Sequence, residues 1–154
     1  MVNKTDLAGL KDYDQQTGRV LSIYLDIDQS NPTNLNRGFE RALSDHLRNI
    51  GPFEEDSEQR DFDICAQRAG DFVSQYAPGA RGLVIFAKST GSTWIRELDV
   101  PTRTDIRWGP GAHVQPLIEA LDEYQRYAVV LVDRSRARIF TMMLGEIESQ
   151  TETH

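Results

Sequence analysis

Two aspartates near the end of an apolar segment have the spacing of a metal-dependent active site. Asp26 and Asp28 lie at the end of the segment from Val20 to Ile27, in which apolar and polar residues alternate as in a β-strand. Two carboxylates in this arrangement can hold Mg²⁺, while one attacks a phosphate ester and the other transfers a proton. This interpretation makes the chain a magnesium-dependent phosphohydrolase that uses Asp26 and Asp28.

The same two aspartates have a simpler interpretation, in which they face solvent or cap the turn that follows the strand. A phosphohydrolase of this kind also needs a lysine for the phosphate and a further acidic pair at a later strand end. Asp133 is the only comparable acid at a later strand end. We therefore favour the simpler interpretation and predict neither a metal nor another cofactor.

Nucleophilic catalysis has little support in the sequence. Ser89 and Ser92 lie in a predicted turn, but the Gly-x-Ser-x-Gly pattern of a nucleophile elbow is absent. His46 falls on a predicted helix, and Cys65 lies on an apolar helical stripe where a core role is favoured. His113 is in a predicted loop, where functional residues are frequent. We predict no catalytic residue and expect the protein not to be an enzyme.

Arginines concentrate in the second half of a chain whose net charge is −7. This net charge argues against binding nucleic acid through bulk electrostatics, but it is compatible with a local basic surface. Arginine interleaved with an aromatic ring is typical of RNA-binding surfaces. In the alternative, Trp108 packs on the sheet and the arginines are solvated. The RNA-binding candidates are Arg103, Arg107, Trp108, Arg134 and Arg136.

Length and composition indicate a soluble protein. A chain of 154 residues suffices for one domain with a core, and its single cysteine excludes an intramolecular disulfide. The N-terminus lacks the apolar segment of a signal peptide, and the longest apolar runs are too short to span a bilayer. We expect a cytoplasmic protein with no membrane partner.

The order of predicted elements indicates an α/β fold, α+β-like in character, with a mixed β-sheet layered against amphipathic helices. Two such helices are predicted between the first strand and the second, because apolar residues recur there at helical spacing. The elements after the first strand are helices from about Leu35 to Ile50 and across Phe62 to Tyr76, strands at Leu83 to Ala87, Thr93 to Val100 and Thr104 to Trp108, and a helix at Val114 to Tyr124.

An apolar β-hairpin is predicted from Tyr127 to Leu144, and a hairpin this apolar cannot stand alone in water. It either packs on the upstream sheet or pairs with its copy in a second chain, and we favour a homodimer. The predicted organisation is a domain over residues 1–126, a hairpin over 127–148 that closes the sheet or begins a truncated second domain, and a disordered tail over 149–154. The predicted dimer contacts are Val130, Val132, Ile139 and Met143.

Several short phrases, in this order, resemble a known family. They are Gly82-Leu83-Val84-Ile85-Phe86-Ala87, a Trp94-bearing strand, Pro116-Leu117-Ile118-Glu119-Ala120-Leu121-Asp122-Glu123, Val129-Val130-Leu131-Val132-Asp133-Arg134 and Ala137-Arg138-Ile139-Phe140. From Arg19 to Glu148 the chain resembles the N-terminal domain plus the first hairpin of the central domain in the bacterial archaeo-eukaryotic release factor family. Relatives of that family are the class 1 translation termination factors and the ribosome-rescue factor Pelota.

The resemblance implies a domain that binds the ribosome, or its RNA, near the decoding region of the small subunit. The stop-codon-reading Asn-Ile-Lys-Ser element has no counterpart in the loop from Asn49 to Gln59, and the Gly-Gly-Gln motif of peptide release is absent. We therefore predict a non-catalytic domain associated with translation, in release, rescue or hibernation. The alternatives are the phosphohydrolase and a structural module for dimerisation or interaction.

Overall fold

The computed structural model describes Tyr13, residues 18–91 and residues 93–120, together with the backbone of two further strands near the C-terminus. The strands are β1 (Arg19–Asp26), β2 (Gly82–Ala87), β3 (Trp94–Leu98), β4 (Asp105–Pro110), β5 (Arg138–Met143) and β6 (Glu146–Glu152). The helices are a 3₁₀ helix (Pro32–Arg37), α1 (Gly38–Arg48), α2 (Asp56–Gln75) and α3, whose described part is residues 115–120.

Four strands form an antiparallel sheet in the order β3-β2-β1-β4. The central strand β1 aligns Ile23 with Ile85 of β2 on one side and with Ile106 of β4 on the other. The predicted short strand at Thr104 to Trp108 is β4, and it continues through Pro110. Within the described sheet β4 pairs only with β1, and an edge strand tolerates a proline because one side of its backbone has no neighbour to bond.

The sheet is covered on both faces, which explains why β1 and β2 are buried along nearly their whole length. On one face, Leu21, Ile23 and Leu25 pack against α1 and α2, as the alternation of β1 predicts. On the opposite face lie Val20 and Tyr24, whose covering residues include Tyr13, Val100 and Leu117. The α/β class, with amphipathic helices layered on a sheet, is confirmed. The prediction of a mixed sheet is wrong for the described strands, because every described strand pair is antiparallel. The connection from β2 to β3, for example, is too short for the crossover that a parallel pair needs.

The helix predicted from about Leu35 begins three residues later, at Gly38. The delay reflects the backbone of the three residues before Gly38, because Leu35 is extended while Asn36 and Arg37 both have left-handed backbones, with φ of 55° and 60°. Left-handed residues cannot continue an α-helix. The second helix follows its predicted stripe, which is buried at Phe62, Cys65, Ala69 and Val73.

The two C-terminal strands form a two-stranded antiparallel sheet, with Ile139 opposite Thr151 and a bulge between Thr141 and Met142. A disordered tail is predicted from residue 149, whereas β6 continues through Glu152 and pairs with β5. A polar segment can form such a ladder because backbone groups make its hydrogen bonds. The other strand of the predicted hairpin lies outside the described residues. No described helix combines the length and the apolar character of a transmembrane span.

Candidate functional site

Trp108 and Arg107, predicted to share an RNA-binding surface, lie on opposite faces of β4, because neighbouring strand residues alternate. The Trp108 ring meets Phe62 edge-on, with centroids 5.4 Å apart, and lies 6.2 Å from Phe53. Its Nε1 donates a hydrogen bond to Glu58 Oε1 at 3.0 Å. Trp108 therefore closes the rim of the core beneath α2 and does not present a free ring for a base.

Arg107 is the exposed cation of the opposite face. Its Nε lies 3.4 Å from Asp105 Oδ2, and the Nε2 atom of His113 lies 3.8 Å from the same oxygen. A surface pair of this kind contributes little to stability, about 0–1 kcal/mol, so the guanidinium can exchange its partner for a phosphate. Arg103 is also exposed, in the segment that leads into β4. Arg134 and Arg136 lie outside the described residues.

Asp26 and Asp28 organise the turn after β1. Asp26 Oδ1 accepts hydrogen bonds from the Asn34 side chain at 2.9 Å and from the Asp28 backbone at 3.1 Å, and Oδ2 accepts one from Asn31 at 3.0 Å. Asp28 Oδ1 accepts bonds from both the backbone and the hydroxyl of Ser30, which together lower the pKa of Asp28. These contacts match the simpler interpretation, in which the carboxylates hold the turn.

The donor set around these aspartates also gives no support to the phosphohydrolase. Among the described residues, no three side chains of histidine, cysteine, aspartate or glutamate come together in a group that could hold a metal ion. Asp45, which lines the same pocket as Asp26, lies on α1 and is paired with Arg48 at 2.9 Å. Asp133, the candidate second acid, lies outside the described residues.

Asn34 is the polar residue of this region that the sequence patterns did not single out. It is only 5 % exposed, and its side-chain nitrogen donates to both Asp26 Oδ1 and the Asp28 backbone oxygen. A buried amide has to be hydrogen-bonded to be tolerated. The signal that could have found it is the phrase Asn31-Pro32-Thr33-Asn34, in which asparagines flank a turn-forming proline.

The other candidate residues, His113, His46 and Cys65, make contacts that stabilise the fold. The backbone N–H of His113 donates to Ser22 Oγ at 2.8 Å, and its carbonyl accepts from the Tyr24 hydroxyl at 2.6 Å, so this loop is fastened to β1. His46 Nδ1 contacts the Ala42 carbonyl within its own helix. Cys65 is fully buried, and burial raises the pKa of its thiol to about 11, which makes the thiolate scarce near neutral pH.

A polar pocket of about 300 Å³ opens between the end of β1, the 3₁₀ helix, the first turns of α1 and the segment before β4. Its lining includes one arginine, two aspartates, two threonines and an asparagine: Asp26, Thr33, Asn34, Arg41, Asp45 and Thr104. The lining also contains two residues with small or no side chains, Gly38 and Ala42, which leave room in front of these polar groups. The pocket collects donors and acceptors of both charges.

The comparison with known families concerns the C-terminal part of the chain. Residues 113–154 match the model of bacterial archaeo-eukaryotic release factor family 10. The match covers 42 of the 154 residues and shows that this segment is similar to that family. It begins at the His113 loop and extends through β5 and β6. No curated protein matches the chain.

Proposed function

We propose that the protein is a non-catalytic translation factor that binds the ribosome through its RNA. The observation that carries the proposal is the family match over residues 113–154. The exposed guanidinium groups of Arg103 and Arg107 support it, because they precede the matched region directly in the chain. Arg134 and Arg136 lie within that region and complete the proposed set of phosphate contacts.

The overall charge sets the form that this binding takes. A protein with a net charge of −7 is repelled by RNA at long range. Its affinity must therefore come from a few local arginine–phosphate contacts, each of which releases counterions from the RNA. Binding should then weaken as the salt concentration rises. The slope of log affinity against log salt concentration should increase in magnitude with the number of these contacts. Trp108 has no base-stacking role in this proposal, because its ring packs against Phe62.

Co-sedimentation with ribosomes and with separated ribosomal subunits tests the proposal. We expect the protein in the pellet at low salt and progressively in the supernatant as salt increases. In Arg107→Ala the slope of log affinity against log salt concentration should fall by about 1, the value for one lost phosphate contact. A wild-type protein that stays in the supernatant at low salt would contradict ribosome binding.

Arg48→Ala is a matched control for Arg107→Ala. Both arginines are exposed and both pair with an aspartate of their own element, Arg48 with Asp45 at 2.9 Å and Arg107 with Asp105 at 3.4 Å. The two substitutions remove the same charge, so bulk electrostatics predicts equal losses of affinity. A local contact predicts a loss in Arg107→Ala alone. Equal losses would assign the effect to net charge rather than to this surface.

A further inference from the structure

The pocket beside α1 has a definite inventory of unused hydrogen-bonding groups. Two donors remain free. Arg41 lines the pocket and makes no hydrogen bond or ion pair with another described residue. Thr104 Oγ1 accepts a bond from the Asp26 backbone at 3.0 Å, which leaves its own O–H available as a donor. The Arg41 guanidinium and the Thr104 hydroxyl can therefore both donate hydrogen bonds to a ligand.

Three acceptors in the same lining are also free. Asn34 donates twice through its side-chain nitrogen, which fixes the amide orientation and leaves Oδ1 without a partner among the described residues. Asp45 uses Oδ1 for Arg48 and retains Oδ2. Thr33 donates its hydroxyl to Asn31 Oδ1 at 2.9 Å, so its oxygen lone pairs remain. These three oxygens can accept hydrogen bonds from a ligand, and one of them, Asp45 Oδ2, belongs to a carboxylate.

The backbone that carries these groups is held in place by contacts within the protein. Arg37, which has a left-handed backbone, is held by bonds from its guanidinium to the Val73 and Tyr76 carbonyls, at 2.6 Å and 2.9 Å. Gly38 approaches the Thr33 carbonyl so closely that an ideal Cβ would lie 1.8 Å from that oxygen. Asp26 is held by Asn31 and Asn34. A backbone that is already held in place lowers the entropic cost of binding a small molecule.

We propose that this pocket binds a free α-amino acid in its zwitterionic form. The planar guanidinium of Arg41 can form a bidentate ion pair with the carboxylate of the ligand, and the Thr104 hydroxyl can donate a third hydrogen bond to that carboxylate. An ammonium group has three donors and no acceptor. These three donors match Asp45 Oδ2, Asn34 Oδ1 and Thr33 Oγ1. Gly38 and Ala42 border the pocket, and its volume of about 300 Å³ leaves room for the side chain of the amino acid.

Ligands with a single charge fit the same lining less well. A simple anion satisfies Arg41 but lies against the carboxylates of Asp26 and Asp45, and like charges in close proximity are repelled. A simple cation can pair with Asp45, but the positive charge of Arg41 repels that cation. A zwitterion places each of its charges next to the opposite sign. The proposal is independent of ribosome binding, since neither Arg103 nor Arg107 is among the lining residues.

Titration of the ¹⁵N-labelled full chain with L-serine, followed by amide chemical shifts, tests the proposal. We expect saturable shifts confined to the amides of Asp26, of residues 33–45 and of Thr104. Ethanolamine, which lacks the carboxylate, and glycolate, which lacks the ammonium, should each bind at least 10-fold more weakly. Equal shifts with glycolate would identify a simple anion site, and equal shifts with ethanolamine a simple cation site. Either result, or the absence of saturable shifts with L-serine, overturns the proposal.

Variants of the two charged groups assign the binding to this pocket. Arg41→Ala and Asp45→Asn should each weaken L-serine binding at least 10-fold, and Arg41→Lys should fall between them and the wild type, since lysine keeps the charge without the fork. Arg60→Ala removes an exposed arginine of α2 that does not line the pocket, and it should bind as the wild type does. Unchanged affinity in Arg41→Ala with a native amide spectrum contradicts the proposal.

Discussion

At the scale of single residues, Gly38 leaves almost no room for a side chain. A Cβ at this position would lie 1.8 Å from the Thr33 carbonyl oxygen, a backbone atom that cannot rotate away. We expect Gly38→Ala to lower the free energy of unfolding by about 1–3 kcal/mol, as overpacking does. Urea denaturation provides the measurement.

Gly70→Ala is the matched control for this substitution. Gly70 lies inside α2, and a Cβ there meets no atom within 4 Å. Alanine is the better helix former by roughly 1 kcal/mol, so Gly70→Ala should stabilise the protein. If both substitutions destabilise it equally, the close approach at Gly38 is not the cause of the loss.

The tyrosine hydroxyls of Tyr24 and Tyr76 make the fold sensitive to alkaline pH. Burial raises the pKa of both above the usual value near 10, and for Tyr76 the hydrogen bond to Glu97 adds to the effect. Neutral tyrosine is thus favoured in the folded state. The corresponding stability is complete below about pH 10 and is lost as the pH rises above it. For the buried Tyr24 the loss is about 1.4 kcal/mol per pH unit, and the half-buried Tyr76 contributes in the same direction.

We therefore expect the free energy of unfolding to fall between pH 8 and pH 11, as measured by urea titration at both pH values. Tyr24→Phe removes one of the two hydroxyls, along with its 2.6 Å bond to the His113 carbonyl. The variant should be less stable at pH 8 by about 1 kcal/mol. Its further loss towards pH 11 should nevertheless be smaller than that of the wild type. An equal alkaline loss would mean that Tyr24 ionises freely in the folded protein.

At the scale of elements, the end of α2 depends on a side chain from another part of the chain. Arg37 donates to the carbonyl of Val73 in the last turn of α2, which also accepts the Tyr76 backbone N–H at 3.2 Å, and to the carbonyl of the C-cap residue Tyr76. Its guanidinium thus places a positive charge at the negative end of the helix dipole. We expect Arg37→Ala to lower the free energy of unfolding by about 1–2 kcal/mol. Thermal or urea unfolding measures this loss.

Arg48→Ala again provides the comparison. Arg48 makes only a surface pair with Asp45, so its removal should cost less than about 1 kcal/mol. A loss in Arg37→Ala no larger than that in Arg48→Ala would show that the helix end is satisfied by water instead.

How far the elements follow from the sequence depends on whether a local pattern or a distant contact decides them. The alternation in β1 and the stripe of α2 are local, and both appear as predicted. The start of α1 was misplaced because the left-handed backbone of Asn36 and Arg37 is stabilised by contacts of Arg37 with α2, almost 40 residues later in the chain. No periodicity within residues 35–50 carries that information.

The candidate site shows the same division. The turn-capping role of Asp26 and Asp28 is a local property, and the structure agrees with it. The separation of Arg107 from Trp108 follows from the alternation of a strand that the sequence marked only weakly, since the last two residues of β4 are glycine and proline. The pocket joins residues 26, 41 and 104, and no single-sequence pattern brings these three together.

At the scale of the whole molecule, the oligomeric state remains a prediction. A two-stranded sheet such as β5–β6 is marginal by itself in water, because it has too little apolar surface to bury. We predict a homodimer centred on the segment from Tyr127 to Leu144. Light scattering at tens of micromolar should give twice the mass of 17.5 kDa. Val132→Asp should reduce it to the monomer mass, while a monomeric wild type at that concentration would contradict the prediction.

The two tryptophans lie on opposite faces of the four-stranded sheet, and this gives the protein two separate fluorescent reporters. Trp94 is stacked on Phe86 at 5.2 Å, and its indole N–H has no hydrogen-bond partner among the described residues, whereas the Trp108 indole donates to Glu58. Emission from Trp94 should therefore lie at shorter wavelength than emission from Trp108. Trp108→Phe and Trp94→Phe isolate the two signals. Coincident urea transitions would show that the layers on both faces of the sheet melt as one cooperative unit, and separated transitions would show which layer melts first.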